Sequence, residues 1–104
     1  MCEGIVDVMA FYEIGIPAVC TFGANITDKQ YSLLIKTGAD LVFAYDGDKA
    51  GIKVTNKAIE MFKNKANISV IEFSEGKDPA NISRKELLEL YERRKRYYYW
   101  YWLL

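Results

Sequence analysis

At 104 residues the chain holds one globular domain, and a composition of 51% hydrophobic and 27% charged residues excludes a disordered polymer. Fourteen Lys and Arg offset fourteen Asp and Glu, but residues 1–92 carry ten basic and fourteen acidic side chains, and the block Arg93, Arg94, Lys95, Arg96 restores neutrality, so no global basic field draws in nucleic acid. Histidine is absent, which excludes His-dependent zinc sites and Ser-His or Cys-His catalytic pairs and leaves carboxylates, lysines and hydroxyls for chemistry.

Taken in chain order, the first predicted element is a helix from about Ile5 to Glu13, ending before Gly15 and Pro17. Only Met1 and Cys2 precede Glu3, too few for a usual strand, so a strand leading into the glutamate would be truncated. Pro17–Thr21 reads as a strand, and Cys2 and Cys20, with no C-x-x-C spacing, read as reduced thiols filling a core. Thr27-Asp28-Lys29-Gln30 has the form of a capping box, after which Tyr31, Leu34 and Ile35 share a face and Gly38 supplies a left-handed stop. Asp40–Tyr45 is apolar without alternation, which suits a parallel strand covered on both faces. Asp48 can cap a helix whose Thr55, Ala58, Ile59 and Phe62 form a stripe. Ile68–Phe73 is a more mixed strand, suited to a sheet edge, and Ser83-Arg84-Lys85-Glu86 opens a last helix with Leu87, Leu88 and Tyr91 on one side. The alternation of strands and helices is a βαβ rhythm and predicts an α/β fold.

Residues 97–104 are eight consecutive apolar residues, six of them aromatic. Beside the basic block they could hold a single strand, dock on a neighbouring domain, or pair with the sheet edge that a truncated first strand exposes. No apolar run approaches the ~18 residues of a spanning helix, and the amino terminus lacks a signal-peptide layout, so a cytoplasmic location without a membrane partner is expected.

The chemistry concentrates in Tyr45-Asp46-Gly47-Asp48-Lys49-Ala50-Gly51, which sets two carboxylates just past the carboxyl end of a buried strand, where ligands bind in open α/β sheets. Hard oxygen ligands without His or Cys favour Mg²⁺ or Mn²⁺, and Glu3 would stand at the corresponding end of the first strand, facing the same cleft. The spacing alone leaves a plainer alternative open, in which Asp48 is an N-cap and Asp46-Gly47 an ordinary turn.

Glu3-Gly4 followed by Asp7, Gly23 in Thr21-Phe22-Gly23-Ala24-Asn25, then Asp46-Gly47-Asp48-Lys49-Ala50-Gly51, then Gly76-Lys77-Asp78-Pro79 resembles the TOPRIM domain in its DnaG-type bacterial primase form, over residues 3–80. The resemblance implies a Rossmann-like three-layer α/β/α fold with a mainly parallel sheet of about four strands, the first truncated here. It implies a domain core over residues 1–82, followed by a helix and basic, aromatic tail over residues 83–104. Glu3, Asp46 and Asp48 match the family's catalytic acids, and with Asp7 and Asp78 its metal-binding set. Lys49 and Gly51 would face phosphate or nucleic acid, and Gly4, Gly47 and Gly51 match glycines that let backbone approach the site.

The implied activity is Mg²⁺- or Mn²⁺-dependent nucleotidyl transfer in primer synthesis, using nucleoside triphosphates and a single-stranded DNA template, with other primase domains or a helicase as partners. The same cleft in this family also serves nucleases that cleave phosphodiesters, and a non-catalytic nucleic-acid-processing scaffold would keep the fold for its binding surface. The sequence departs from the primase pattern in three ways. The apolar strand before Glu3 is clipped, so that Glu3 would be frayed. Ala80 stands where primases carry a further acid, and the zinc-binding and amino-terminal polymerase segments have no counterpart.

Overall fold

The structure is a computed structural model and describes residues 1–22 and 25–97. Gly23 and the aromatic run beyond Tyr97 lie outside the described residues. Four helices, α1 (Ile5–Glu13), α2 (Asp28–Thr37), α3 (Lys49–Phe62) and α4 (Arg84–Glu92), surround a sheet of β1 (Leu41–Phe43), β2 (Ile68–Val70) and β3 (Lys95–Tyr97) in the order β1-β2-β3. β1 and β2 are parallel, with Leu41 opposite Ile68 and Phe43 opposite Val70, whereas β3 runs antiparallel to β2 with Tyr97 opposite Ile68.

Alternation along the first strand decides the layering. Leu41, Phe43 and Tyr45 point into one cluster with Val54, Ala58 and Phe62 of α3 and Tyr31, Leu34 and Ile35 of α2. Val42 and Ala44 point the other way, to Val8, Ala10 and Phe11 of α1 and Leu87, Leu90 and Tyr91 of α4. Each face of the sheet therefore carries two helices, giving the three-layer α/β/α arrangement. Phe43 and Phe62 are both fully buried with ring centroids 5.7 Å apart.

The helix boundaries follow local chemistry. Thr27 Oγ1 accepts from the Gln30 N–H at 3.1 Å while Gln30 Oε1 accepts from the Thr27 N–H at 2.9 Å, and Gly38 ends α2 at φ 65°. Ser83 Oγ accepts from the Glu86 N–H at 3.1 Å at the start of α4. Among the described residues no helix is long and apolar enough to cross a membrane.

Three expectations about the strands are corrected. Pro17–Thr21 does not form a strand; only an isolated parallel bridge joins Cys20 to Cys2. β2 is not an edge: β3, drawn from the basic block, pairs along its outer side, and all three β2 residues are buried. Arg94 turns inward there, with Nε donating to Ser69 Oγ at 3.1 Å and its guanidinium 4.3 Å over the Tyr91 ring. The paired edge is thus opposite to the one beside the clipped first strand.

That clipped strand is not frayed. The Cys2 N–H donates to Val19 O and the Thr21 N–H to Cys2 O, both at 3.1 Å, while on the other side the Ala44 N–H donates to Met1 O at 2.8 Å. Residues 1–3 thus sit between residues 19–21 and β1, and Cys2 is a fully buried free thiol pushed up by burial to about 12.

Candidate metal and nucleotidyl-transfer site

The site lies beyond the carboxyl ends of the strands and is built by three segments. Residues 1–3 deliver Glu3, whose carbonyl accepts from the Phe22 N–H at 3.1 Å. The chain leaving β1 delivers Asp46, and the turn after β2 delivers Asp78. Gly47 ties the last two together, its N–H donating to Lys77 O at 2.9 Å. No other residue fits at position 47, since a Cβ would collide with the carbonyl oxygens of Phe73 and Ser74.

Asp7, Asp46 and Asp78 converge, each offering a carboxylate oxygen within 4.8 Å of the others. Asp7, on the first turn of α1, is buried, and Asp46 and Asp78 are half-buried. Burial pushes the Asp46 carboxyl up to about 7, with repulsion from Glu3, Asp7 and Asp78 adding to it. Asp7 is also raised, by burial first and then by Asp78 and Glu3, against the lowering effect of N–H groups from Gly4 and Ala80. Asp46 Oδ1 is buried with no hydrogen-bond partner. An orphaned carboxylate oxygen amid three other acids fits a hard divalent cation, which would replace mutual repulsion with shared attraction.

The remaining sequence candidates are placed differently. Asp48 is the N-cap of α3, its Oδ1 accepting from the Gly51 N–H at 2.7 Å, and it is not part of the converging cluster. Gly51 is buried, and a Cβ there would run into the Asp46 carbonyl oxygen, so its part in this geometry is close packing between α3 and the loop. Lys49 is exposed on the first turn of α3. Ala80 contributes only backbone: its N–H and that of Asn81 both donate to Asp78 Oδ1 at 2.9 Å.

Sequence reasoning missed Asn81, which shapes the acidic turn by accepting from the Asp78 N–H at 2.8 Å and donating to Gly76 O at 2.9 Å. The signal was present in Asp78-Pro79-Ala80-Asn81, where an Asx residue on either side of a Pro marks a turn. A cleft of about 280 Å³ opens beside the cluster, lined by Asp46, Gly47, Thr55, Asn56, Glu72 and Phe73 among others.

A mixed α/β sheet with acids gathered beyond the carboxyl ends of its parallel pair defines the class, and comparison with known proteins places it. The chain belongs to the Toprim-like family, whose pattern it matches over residues 1–83. Within that family its likeness is to DnaG-type primases. It is 34% identical over 88 residues to the DNA primase of Borreliella burgdorferi, covering 83% of this chain and 17% of that protein. It is 31% identical over 93 residues to the DNA primase of Enterococcus faecalis, covering 86% of this chain and 15% of that one. Among solved structures, the zinc-binding and RNA polymerase domains of the Aquifex aeolicus primase superpose with a TM-score of 0.77 at 28% identity, over 91% of this chain and 25% of that one. The chain thus spans about a sixth of the length of these curated relatives. Domains of this family are generally metal-dependent, and this one carries an acidic cluster suited to it.

Proposed function

We propose that this chain is the Mg²⁺- or Mn²⁺-binding catalytic core of a primase-type nucleotidyltransferase, with residues 1–82 forming the core and residues 83–104 a helix and tail appended to it. The observation that carries the reading is the convergence of Asp7, Asp46 and Asp78 within 4.8 Å. Asp46 and Asp78 would hold the cation, with Asp7 behind them, and Asp48 would join only by giving up its cap on α3. A cation held there supplies charge neutralisation for the phosphates of a nucleoside triphosphate.

Glu3, bound through its backbone beside this cluster, would accept the proton of an attacking 3′-hydroxyl. Asp7, Asp46 and Asp78 would orient phosphate through a bound cation and repel it without one, so phosphate binding would depend on the metal. Lys49, exposed in the first turn of α3 and with no carboxylate partner among the described residues, is a candidate phosphate contact at the same edge. The template, a single DNA strand, and the further primase domains or helicase that position it would be supplied by the larger assembly, in the cytoplasm.

A Mg²⁺ and Mn²⁺ titration of the full chain by NMR, beside the Asp46→Asn, Asp48→Asn double variant, tests the reading. Saturable shifts around Glu3, Asp46 and Asp78 that vanish in the variant support it; a folded chain with no such shifts overturns it. Primer synthesis by a full-length primase carrying this domain should be abolished by Asp46→Asn, and metal-dependent nicking without nucleoside triphosphates would move the assignment to a nuclease.

A further inference from the structure

Phe22 lies outside both hydrophobic clusters, and its ring is 78% exposed. Its backbone also sits at φ 55°, in the left-handed region that a bulky side chain rarely occupies, and it is the sole non-glycine residue among those described to do so. Strained backbone persists where surrounding structure over-determines it, and such positions cluster at binding and catalytic sites. Here the constraint is visible: the Phe22 N–H donates to Glu3 O, one residue beyond the Thr21 N–H bond to Cys2 O. The strand that positions the site's glutamate therefore also holds Phe22 and turns its ring to solvent.

Among the described residues, nothing in the two hydrophobic clusters accounts for this exposure. Between Glu3 and Asp7 along the chain, Ile5 at 53% and Val6 at 61% exposure are open as well. An exposed aromatic ring whose backbone is bonded to Glu3, next to a candidate cation site, matches the two-part chemistry of a nucleotide, an anionic phosphate joined to a flat aromatic base. A base has a π-face whatever its identity, and an exposed phenyl ring is a stacking partner for it.

We propose that Phe22 is a stacking platform for the nucleobase of a nucleotide whose phosphate would be held, through a cation, at the Asp7, Asp46 and Asp78 cluster. This rests on the metal-dependent nucleotidyl-transfer reading above, and adds to it a binding residue for the base. Sequence alone hid it, because a phenylalanine in an apolar stretch before a glycine looks like core.

The test uses the full chain with Mg²⁺ and compares wild type with Phe22→Ala, Phe22→Leu and Phe22→Trp, each confirmed folded by its amide spectrum. The probes are ATP, tripolyphosphate, which lacks a base, and a short oligothymidylate. Stacking predicts upfield shifts of base protons with wild type and Phe22→Trp, and an affinity for at least one base-bearing probe weakened by roughly 5- to 100-fold in Phe22→Ala and Phe22→Leu. Tripolyphosphate binding should not change. Weakening confined to ATP assigns the base to the incoming nucleotide, and weakening confined to the oligonucleotide assigns it to a strand; either supports the platform. Unchanged affinity of the Ala and Leu variants for both base-bearing probes, with tripolyphosphate still bound, overturns the platform and leaves the metal reading standing. Failure of wild type to bind any of the three overturns both.

Discussion

Asp46 concentrates the electrostatic cost of the site. Its carboxyl, raised to about 7 against an ordinary 3.8, stays protonated in the folded chain over a range where the unfolded chain has already released its proton. The contribution to stability is therefore full below about pH 4 and is lost as pH rises toward and through about 7. Thermal denaturation in the presence of a chelator should show a melting temperature that falls between pH 4 and pH 8, and Asp46→Asn should flatten that fall. Adding Mg²⁺ should reverse it at pH 8 and release protons near pH 6.5, measurable as a dependence of the binding heat on buffer ionisation enthalpy. Gly51 makes a second test: Gly51→Ala places a methyl against the Asp46 carbonyl and should cost about 1–3 kcal/mol in denaturant unfolding. Legibility was uneven at this scale. The acids Glu3, Asp7, Asp46 and Asp78 were marked by motif, but Asp48 was not separable from a metal ligand, since D-x-D spacing serves a cap and a chelate equally well.

The helices were the readable elements, because what starts and stops them is local. Thr27, Asp48 and Ser83 each cap the helix expected of them, and Gly38 closes α2 in the left-handed conformation expected of it. Caps also allow the two roles of Asp48 to be told apart. Asp48→Ala should destabilise the chain by about 1 kcal/mol through loss of its bond to the Gly51 N–H, whereas Asp48→Asn, also a good cap, should lose only a few tenths. Metal affinity measured on Asp48→Asn then reports ligation alone. The strands were less readable because their pairing is set at a distance. Nothing near Ile68-Ser69-Val70 announces that Arg94 will reach Ser69 Oγ or that Lys95–Tyr97 will cover that side, and four adjacent positive charges do not look like a strand. The buried Ser69 hydroxyl, which accepts from Arg94, is what makes the guanidinium welcome there.

At the scale of the whole molecule, two clusters on opposite faces of one sheet hold the domain, and they are joined through β1, whose alternate residues serve each. Phe62→Ala should cost about 3–5 kcal/mol, since the ring is fully buried against both Phe43 and Tyr31, and chemical denaturation would measure it. α4 is tied to the site side by side-chain bonds of Arg84, which pairs with Glu13 of α1 and donates to the Pro79 carbonyl at 3.4 Å. The α/β class was legible from the βαβ rhythm and from the unbroken apolar run Leu41–Tyr45, and the three-layer plan from the family resemblance; the mixed sense of the sheet was not, because the antiparallel member comes from a segment with no strand-like pattern of its own.

The placement of residues 1–3 between residues 19–21 and β1 has a kinetic consequence. The partners of this segment lie about 17 and 41 positions along the chain, so the entropy of closing both loops must be met before either side is rewarded. Glu3 should therefore reach its place after α3 and the β1–β2 pair are already formed, and the acidic cluster should be among the last features to assemble. In pulse-labelled hydrogen exchange during refolding, the amides of Cys2, Thr21 and Ala44 should gain protection later than those of Phe43 and Val70, and competence to bind metal should appear with the later set.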